Sequence, residues 1–311
     1  MAKMPMRITL HQLQLFDAAA RMPSFKAAAE ALNLSPPALS IQLKILEESL
    51  GVSLFEQIGK KKYLTSPGLE LQQVCHRIFD ELNHLDMRFT QLRGGMAGKL
   101  SIAIVTSAKY FTPHLFGAFQ RVYPNVEFNM IVANRTRILE RLEHNEDDLV
   151  IMAHVPDALD IKAVDFLDNP LIVIASPDHP LVDVKNISFE QLEHQPFLIR
   201  ESGSGTRMAV ERYFSSHNAT MNVAMELGSS EAIKQGVLAR LGVSILSRHC
   251  VWLELKTGFL KQLDVQGFPD VRSWYVVYRK GKQLSPVAEA FIKFIVANGQ
   301  IMLDEVEQLY R

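Results

Sequence analysis

The strongest constraint on this 311-residue chain is a pair of helical segments, within residues 24–51, that only three residues separate. Ser24 can cap the alanine-rich first segment, FKAAAEAL. A turn of Asn33, Leu34 and Ser35 follows at once, and the next helix begins with Ser35 as its N-cap and Pro36 in its first position. Proline fits there because an N–H group at that position would have no helical partner. Two helices joined by so short a turn predict a helix-turn-helix.

The helix that starts at Pro36 has two different faces. At about 100° per residue, Leu39, Leu43 and Leu46 fall on one side, which is the predicted core face. The opposite side carries hydroxyl, ammonium and aliphatic groups, which suit the DNA major groove because they contact phosphates, base edges and thymine methyl groups. An ordinary amphipathic surface helix is the alternative for this helix taken alone. The predicted DNA contacts of this region are Ser24, Ser35, Pro36, Pro37, Ser40, Ile41, Gln42 and Lys44.

A basic tip lies in the segment VSLFEQIGKKKYLTSPG, which follows Gly51. Apolar residues flank the glycine and its three lysines on both sides, a pattern that predicts a small β-hairpin and hence the wing of a winged helix. A solvated loop is the alternative. Lys60, Lys61 and Lys62 form a compact positive patch, which attracts a polyanion such as DNA. We therefore predict a winged helix-turn-helix DNA-binding domain over residues 1–67.

A long amphipathic pattern follows and ends at a glycine-rich stretch around Gly94, Gly95 and Gly98. Its apolar residues repeat at the a and d positions of three heptads, which predicts a coiled-coil dimerisation helix. Packing of this helix on its own chain is the alternative. We assign residues 68–95 to this linker helix. The predicted dimer contacts are Leu71, Cys75, Ile78, Leu82, Leu85, Phe89 and Leu92.

The pattern of apolar residues changes after residue 95. Short β-rich runs such as KLSIAIV, VEFNMIV and LIVIAS alternate with helical stretches such as RTRILERLEHN, which predicts an α/β region with largely parallel sheets. The length of residues 96–311 favours two subdomains, which we place at about 96–167 with 269–311 and at about 168–268. The predicted fold class is therefore α+β and multi-domain.

An anion site is predicted where the segment RESGSGTR joins a strand to a helix, at residues 200–207. Small residues before a helix leave backbone N–H groups free to bind an anion, and Arg207 can neutralise its charge. A plain glycine-serine loop with Thr206 as the N-cap is the alternative.

The stretch SFKAAAEALNLSPPALSIQLKILEESLGVSLFE, followed by LTSPG, closely resembles the N-terminal domain of LysR-type transcriptional regulators. The chain length and the α/β remainder fit the same family. The resemblance implies an effector domain like the periplasmic binding proteins, a dimer formed by the linker helix, and often a tetramer built from two dimers. Two residues depart from the family pattern, since Pro36 replaces the usual Gln or Arg and Gln57 replaces a frequent Arg. We therefore expect more of the base reading to fall to the rest of the helix face and to DNA shape.

Family analogy places further polar residues opposite the 200–207 loop, just beyond strand carboxyl ends, where open α/β sheets bind ligands. Together these residues favour a small anionic effector, including a phosphorylated one. Taken singly, His154 fits a structural role equally well, and Arg135 fits an ordinary surface charge. The predicted effector residues are Thr106, Ser107, Asn134, Arg135, Thr136, His154, Ser202, Ser204, Thr206 and Arg207.

Within the family, four segments most resemble the regulators of carbon-dioxide fixation (Calvin-cycle) operons: GKKKYLTSPG, RESGSGTR, SPDHPL and FPDVRSWYVVYRKGKQLSPVAEAF. That resemblance implies a sugar phosphate or a nicotinamide nucleotide as the effector. Regulators of sulfur or nitrogen assimilation, and a binding protein without a regulatory role, are the alternatives. The implied partners are promoter DNA with an interrupted inverted repeat, a second copy of the chain, the effector and RNA polymerase.

The sequence carries no recognisable catalytic or metal-binding motif, so we expect neither enzymatic activity nor a cofactor. Ser202 stands where a Gly-x-Ser-x-Gly nucleophile elbow requires its first glycine, and Cys75 and Cys250 lack the spacing of a metal site. No apolar run approaches the ~20 residues that span a bilayer, so we expect no membrane partner. The start of the chain has no signal-peptide pattern, which predicts a cytoplasmic protein.

Overall fold

A computed structural model describes residues 8–59, 61–92, 95–156 and 159–309. The chain forms two compact units, Met1–Asp86 and Met87–Arg311, and the division falls inside one long helix. The domain bounds drawn from the sequence, at residues 67 and 95, stay predictions.

Helices and a hairpin form the N-terminal unit, as the sequence pattern indicates. Side-chain caps begin its first three helices, because the hydroxyls of Thr9, Ser24 and Ser35 each accept a hydrogen bond from the backbone N–H three residues on. Gly51 follows the third helix with a φ of 72°, a left-handed conformation that glycine adopts without strain. The elements are α1 (Leu10–Arg21), α2 (Phe25–Ala31), α3 (Pro36–Leu50), β1 (Phe55–Ile58), β2 (Lys61–Leu64) and the first part of α4 (Ser66–Leu92).

The core of this unit lies between its first three helices and the start of α4. Phe16, Leu39 and Leu46 have no exposed surface, which confirms the core face predicted for α3. Burial of such side chains is the main driving force for the packing of helices that are individually too short to be stable in water.

Helix α4 differs along its length in what its apolar residues contact. Cys75 has no exposed surface because it packs into the core of its own unit, where Leu71 and Ile78 also pack. Cys75 is therefore not available to a partner chain, and its assignment to the dimer seam is corrected. The other predicted dimer residues lie further along the helix and are exposed: Leu82, Leu85, Phe89 and Leu92.

The C-terminal unit alternates strands and helices, as the sequence rhythm indicates. Its strands are β3 (Ala97–Val105), β4 (Asn125–Ala133), β5 (Leu149–Met152), β6 (Ile161–Ala175), β7 (Phe197–Arg200), β8 (Val223–Leu227), β9 (Ser244–Ser247), β10 (Lys261–Gln262) and β11 (Asp270–Arg279). Its helices are α5 (Thr112–Val122), α6 (Arg135–Glu143), α7 (Phe189–Glu193), α8 (Gly205–Ser216), α9 (Ser230–Leu238), α10 (Trp252–Thr257) and α11 (Pro286–Leu309), with 3-10 turns at Thr106–Tyr110 and Arg248–Cys250.

The main sheet is mixed, with the order β10-β6-β11-β5-β3-β4 and with β9 also paired to β6. β3 runs parallel to β4 and β5, and β7 pairs with β8 in a separate parallel pair. β11, by contrast, runs antiparallel to both β5 and β6. The prediction of largely parallel sheets was wrong for these long strands. β6 leads from one hydrophobic cluster into another and β11 returns, so the two must run in opposite directions.

Separate hydrophobic clusters form the two parts of this unit. One cluster contains Phe119, Trp274 and Phe291, and it is packed against β3, β5 and β11. Two further clusters, around Phe197 and Leu246, pack on the distal half of β6. The long strands β6 and β11 join the two parts, and a cleft lies between these two subdomains.

Helix α11 is the one described helix with the length and apolar composition to cross a membrane, over Pro286–Val306. The expectation concerned uninterrupted apolar runs, and Glu289 and Lys293 interrupt this helix. One side of α11 packs into the core, where Val287, Phe291 and Ile295 have no exposed surface. The core helix of a soluble protein satisfies the same length and composition, so α11 is weak support for a membrane span.

Candidate functional site

The predicted DNA-binding face of α3 is open to solvent. Ile41 keeps 58% of its surface exposed, which is unusual for an aliphatic side chain that only has to pack. The hydroxyls of Ser24 and Ser35 accept backbone hydrogen bonds at 3.1 and 3.3 Å, and each can still donate its own hydrogen to a phosphate oxygen. The predicted contacts that are exposed on α3 are Pro36, Pro37, Ser40, Ile41 and Lys44, and Gln42 is half-buried.

The predicted hairpin is present, since β1 and β2 pair in antiparallel register. Lys61 is exposed on β2, whereas Lys62 faces the domain and its ammonium lies 4.5 Å from the ring centre of Phe25. Burial lowers the pKa of Lys62. Lys60 lies outside the described residues. The patch predicted from three equivalent lysines is therefore corrected, because Lys62 is used inside the domain.

A cleft opens between the subdomains of the C-terminal unit, with about 620 Å³ of empty space including its open mouth. It lies at the carboxyl ends of β3 and β5 and at the amino ends of α6 and α8. This is the edge of an α/β sheet where ligands bind. The polar residues that line it are Thr106, Ser107, Arg135, His154, Asn169, Ser204, Thr206, Arg212, Ser247 and Arg272.

Three arginines give this cleft a positive potential. Arg135 begins α6, Arg212 lies on α8, and Arg272 lies on β11. Burial and the nearby charge of Arg212 lower the pKa of Arg135, so an anion between these two guanidinium groups would relieve their repulsion. Arg272 is already paired with Asp270 at 2.8 Å, which balances part of its charge.

His154 contacts both of the closer arginines. Arg135 Nε donates to the carbonyl oxygen of His154 at 3.3 Å, and Arg212 Nη1 lies 3.5 Å from His154 Nδ1. A guanidinium has several N–H donors in one plane. These contacts use only some of them, which leaves the others for a carboxylate or phosphate in the cleft.

Two buried polar atoms in the cleft lack a hydrogen-bond partner among the described residues, Asn169 Oδ1 and Ser247 Oγ. Their residues are only 3% and 2% exposed. An unsatisfied buried polar atom costs about 1–3 kcal/mol unless a bound molecule supplies the missing hydrogen bond. These atoms therefore mark the inner part of the cleft as a position for a polar ligand.

The 200–207 loop supplies only part of the predicted anion site. Ser204 is the N-cap of α8, which corrects the alternative that placed Thr206 there, and both residues line the cleft. Arg207 lies outside the cleft lining and pairs with Glu211 at 2.7 Å and with Glu226. Its predicted role as the neutralising cation is therefore corrected, because two carboxylates already balance its charge.

The helical period separates Arg207 from Arg212 on α8. Gly205, Met208, Ala209 and Arg212 line the cleft at spacings of three and four residues, which place them on one side of the helix. Arg207 is two residues from Gly205, about 200° around the helix axis. The signal that identifies Arg212 is thus the helical period counted from Gly205, which a motif search does not use.

Three other predicted effector residues lie outside the cleft lining. Asn134 caps α6 by accepting a hydrogen bond from Arg137 N at 3.0 Å, while Thr136 and Ser202 are exposed. Gly203 has a φ of 83°, and a Cβ added there would lie 2.6 Å from Thr136 Oγ1. The 200–207 loop therefore approaches the start of α6 closely, at a residue whose backbone conformation favours glycine.

The structure brings six predicted effector residues together and adds four other polar residues to the cleft lining. The added residues lie within strands or a helix, where no loop motif marks them. The six are Thr106, Ser107, Arg135, His154, Ser204 and Thr206, and the four are Asn169, Arg212, Ser247 and Arg272.

The 3-10 turn after β3 ties the subdomains together beside the cleft. Thr106 Oγ1 accepts a hydrogen bond from the buried Arg200 at 3.0 Å. At the other end of the turn, Lys109 and Tyr110 donate to Glu231 at 2.9 and 2.5 Å. Burial by itself would raise the pKa of Glu231. The hydrogen bonds from Tyr110 and Lys109 have the larger effect, so the net pKa is lowered to about 2. One turn thus carries cleft residues at its start and an ionic contact at its end.

Both units of the chain match known protein families. Residues 10–69 match the family model described as "Bacterial regulatory helix-turn-helix protein, lysR family". Residues 93–300 match the model described as "LysR substrate binding domain".

Named proteins are similar over most of the chain or over its C-terminal part. The chain is 45% identical over 289 residues to a RuBisCO operon transcriptional regulator of Acidithiobacillus ferrooxidans, covering 93% of this chain and 94% of that protein. It is 47% identical over 292 residues to the transcriptional activator CmpR of Synechocystis sp., covering 94% and 96%. The structure of the Synechocystis CcmR regulatory domain in complex with 2-PG is 43% identical, with a TM-score of 0.62, and covers 64% of this chain and 96% of that one.

Proposed function

The chain belongs to the LysR family of bacterial transcriptional regulators, and from this premise we propose that it controls a carbon-fixation operon in response to a small phosphorylated metabolite. Proteins of this family regulate transcription and are not enzymes. The N-terminal unit binds promoter DNA, and the cleft of the C-terminal unit binds the metabolite.

The effector proposal rests on two features that occur in the same cleft. Guanidinium groups line it, and buried polar atoms in it lack hydrogen-bond partners among the described residues. Arg135 and Arg212 offer guanidinium donors to a phosphate or carboxylate. Asn169 Oδ1 and Ser247 Oγ have no hydrogen-bond partner within the described part of the chain, and Ser247 can donate its hydroxyl hydrogen to the same ligand. The N-terminus of α8, at Ser204, adds backbone N–H groups and a favourable dipole.

The similar proteins support the choice of pathway and ligand. One is named for the RuBisCO operon, and CcmR was solved with 2-PG. 2-Phosphoglycolate (2-PG) carries one phosphate and one carboxylate, so it can engage two groups of donors at once. A compact anion of this kind fits a single arginine cluster better than an extended nicotinamide dinucleotide, whose two phosphates lie between two bulky nucleoside groups.

The DNA part of the proposal assigns contacts to the exposed face of α3 and to Lys61. Two copies pair through the exposed apolar residues of α4 and present two helix-turn-helix domains to an interrupted inverted repeat. Assembly of two dimers into a tetramer, contact with RNA polymerase and a cytoplasmic location belong to the same proposal. The pairing residues are Leu82, Leu85, Phe89 and Leu92.

Isothermal titration calorimetry of the full-length chain tests the effector. We expect 2-phosphoglycolate to bind, and we expect glycolate, which lacks the phosphate, to bind at least about 10-fold more weakly because it loses a charge-assisted hydrogen bond. Inorganic phosphate is the control for the phosphate group alone. Equal binding of glycolate and 2-phosphoglycolate, or no binding of either, contradicts the proposal.

The alternative is a regulator of sulfur or nitrogen assimilation, because a tetrahedral oxyanion such as sulfate would also satisfy two guanidinium groups. Sulfate that binds as tightly as 2-phosphoglycolate would favour this alternative. DNA binding is tested separately by gel shift with the region upstream of the neighbouring operon. No shift at low salt contradicts the regulatory proposal itself.

A further inference from the structure

Lys62 has surroundings unlike those of an exposed lysine. Its ammonium donates to the carbonyl oxygen of Ala19 and lies 3.4 Å from that of Met22. It also lies over two aromatic rings, 4.5 Å from the centre of Phe25 and 5.0 Å from that of Phe55. The negative faces of such rings attract a cation that is partly removed from water. One ammonium therefore contacts the end of α1, the start of α2 and strand β1.

The carbonyl of Ala19 needs this donor because of the local sequence. Within a helix, a carbonyl is satisfied by the N–H four residues further on; where that N–H is missing, a side chain or water must supply the donor. That residue is Pro23, which has no N–H group. Lys62 supplies the missing donor, and its positive charge is favourable at a helix C-terminus.

The position of the hairpin depends on contacts of this kind. β1 and β2 pair over only four residues each, and an isolated two-stranded hairpin is at best marginally stable in water. Side chains alternate along a strand, so Lys61 and Tyr63 are exposed while Lys62 and Leu64 are half-buried. The inward residues therefore hold the hairpin, and the outward ones are presented to solvent.

We propose that Lys62 is a positioning residue, whose ammonium fixes the hairpin against the end of α1 and so places Lys61 for contact with a DNA phosphate. The proposal rests on the DNA binding proposed above. Lys61 touches the DNA, and Lys62 acts through the position of the hairpin.

Salt-dependent binding of the full-length chain to a random-sequence DNA duplex separates these two roles. Each phosphate contact contributes about 0.9 to the slope of log K against log salt concentration. Lys61→Met should lower the slope by about 0.9 and leave amide hydrogen exchange in β1 and β2 unchanged. Lys62→Met keeps the apolar stem but removes the ammonium. It should speed exchange of the hairpin amides and weaken binding about 5- to 20-fold at every salt concentration, because the loosened hairpin must become ordered on binding. The slope should stay unchanged, since Lys61 still reaches its phosphate once the complex has formed.

The measurements are made at a temperature where circular dichroism shows each variant to be folded. A slope lowered by about 0.9 in Lys62→Met would overturn the proposal, because it would mean a direct phosphate contact. Unchanged DNA affinity in Lys62→Met would also overturn it, even with a lower melting temperature, since the role would then be structural alone. If the unmodified chain does not bind the duplex, the proposed DNA binding fails. Faster hairpin exchange in Lys62→Met alone would still support the anchoring step.

Discussion

The hairpin of the N-terminal unit and helix α8 of the C-terminal unit each contain two basic residues that are close in sequence but differ in surroundings. On β2, Lys61 is exposed, whereas carbonyl groups and aromatic rings surround the ammonium of Lys62. On α8, Arg212 lines the cleft, whereas Arg207 is paired with two carboxylates. In both regions, one cation is available to a ligand and its neighbour stabilises the fold.

The period of the backbone decides which of two nearby cations is left accessible and which contacts the rest of the protein. Neighbouring side chains of a strand point to opposite faces, so adjacent lysines cannot both be exposed on a hairpin packed against a domain. In a helix, residues five positions apart are separated by about 140°, so Arg207 and Arg212 face different surroundings. A basic residue therefore indicates a ligand contact only when its position on the element is known.

Substitutions on α8 should give the strongest change and test the contrast between Arg212 and Arg207. Arg212→Ala should weaken 2-phosphoglycolate binding about 10- to 100-fold, because a hydrogen bond to a charged group contributes about 1.5–3 kcal/mol. Arg207→Ala is the matched control on the same helix and should change the affinity less than about 3-fold, since its charge is balanced by Glu211 and Glu226. Calorimetry measures both. A loss in Arg207→Ala as large as that in Arg212→Ala would remove the distinction between the two arginines.

A smaller change in ligand affinity is expected from Ser247, whose buried hydroxyl tests whether the unsatisfied polar atoms of the cleft bind a ligand. Ser247→Ala removes a buried hydroxyl without a partner, so it should raise the melting temperature of the free protein and weaken 2-phosphoglycolate binding about 5-fold, roughly 1 kcal/mol. Thermal melts with and without ligand measure the two opposite changes.

Ser244→Ala is the control on the same strand. Its buried hydroxyl donates to the carbonyl of Leu198 at 2.7 Å, so the substitution should lower the melting temperature by removing a satisfied hydrogen bond. If Ser247→Ala also destabilises the free protein, its hydroxyl contributes to the fold and does not mark a ligand position.

The smallest expected change is in stability and concerns Lys109, a third basic residue that forms an ion pair within the protein. Its ammonium and the Tyr110 hydroxyl hold the pKa of Glu231 at about 2 despite the opposing effect of burial. Because the pKa is lower in the folded state, the contribution is complete above the unfolded pKa and is lost as the pH falls toward 2. We expect the charge of Glu231 to contribute about 1 kcal/mol at most to the free energy of unfolding, since its side chain is 47% exposed and solvent screens it.

Denaturant unfolding of the unmodified chain and of Glu231→Gln, compared from neutral pH down into the acid range, measures this contribution. The difference in unfolding free energy should be constant near neutral pH and should shrink below about pH 4.5, the ordinary carboxyl pKa range. Tyr110→Phe should remove part of the same difference. A difference that does not change with pH would show that Glu231 contributes by packing and not by its charge.

Much of the N-terminal unit follows from local sequence. Ser24, Ser35 and Pro36 mark the starts of α2 and α3, and Gly51 marks the end of α3, because caps depend on residues within one or two turns. Cys75 shows where this reasoning fails. The heptad pattern places it in a seam, but the small domain takes it into its own core, a choice that depends on the position of α1.

In the C-terminal unit, local sequence places loops at strand ends but does not identify all the side chains that meet there. Thr106, Arg135 and His154 belong to the cleft as expected. Asn169 lies on β6, one of the two long strands that pass between the subdomains, and no motif in the sequence marks it. Contacts between residues far apart in sequence depend on how the chain returns to the sheet.

Local sequence is enough to predict a capped helix-turn-helix, a basic hairpin, a long apolar-patterned helix and an α/β region with polar loops at its strand ends. These features depend on backbone propensities and on periods of two and 3.6 residues, which act over a few neighbouring positions. Which cations are paired inside the protein depends on the tertiary structure. Lys62 meets the free carbonyl of Ala19, and Arg207 meets Glu226, because packing brings distant elements together. The sequence by itself does not show that these two charges have partners within the protein.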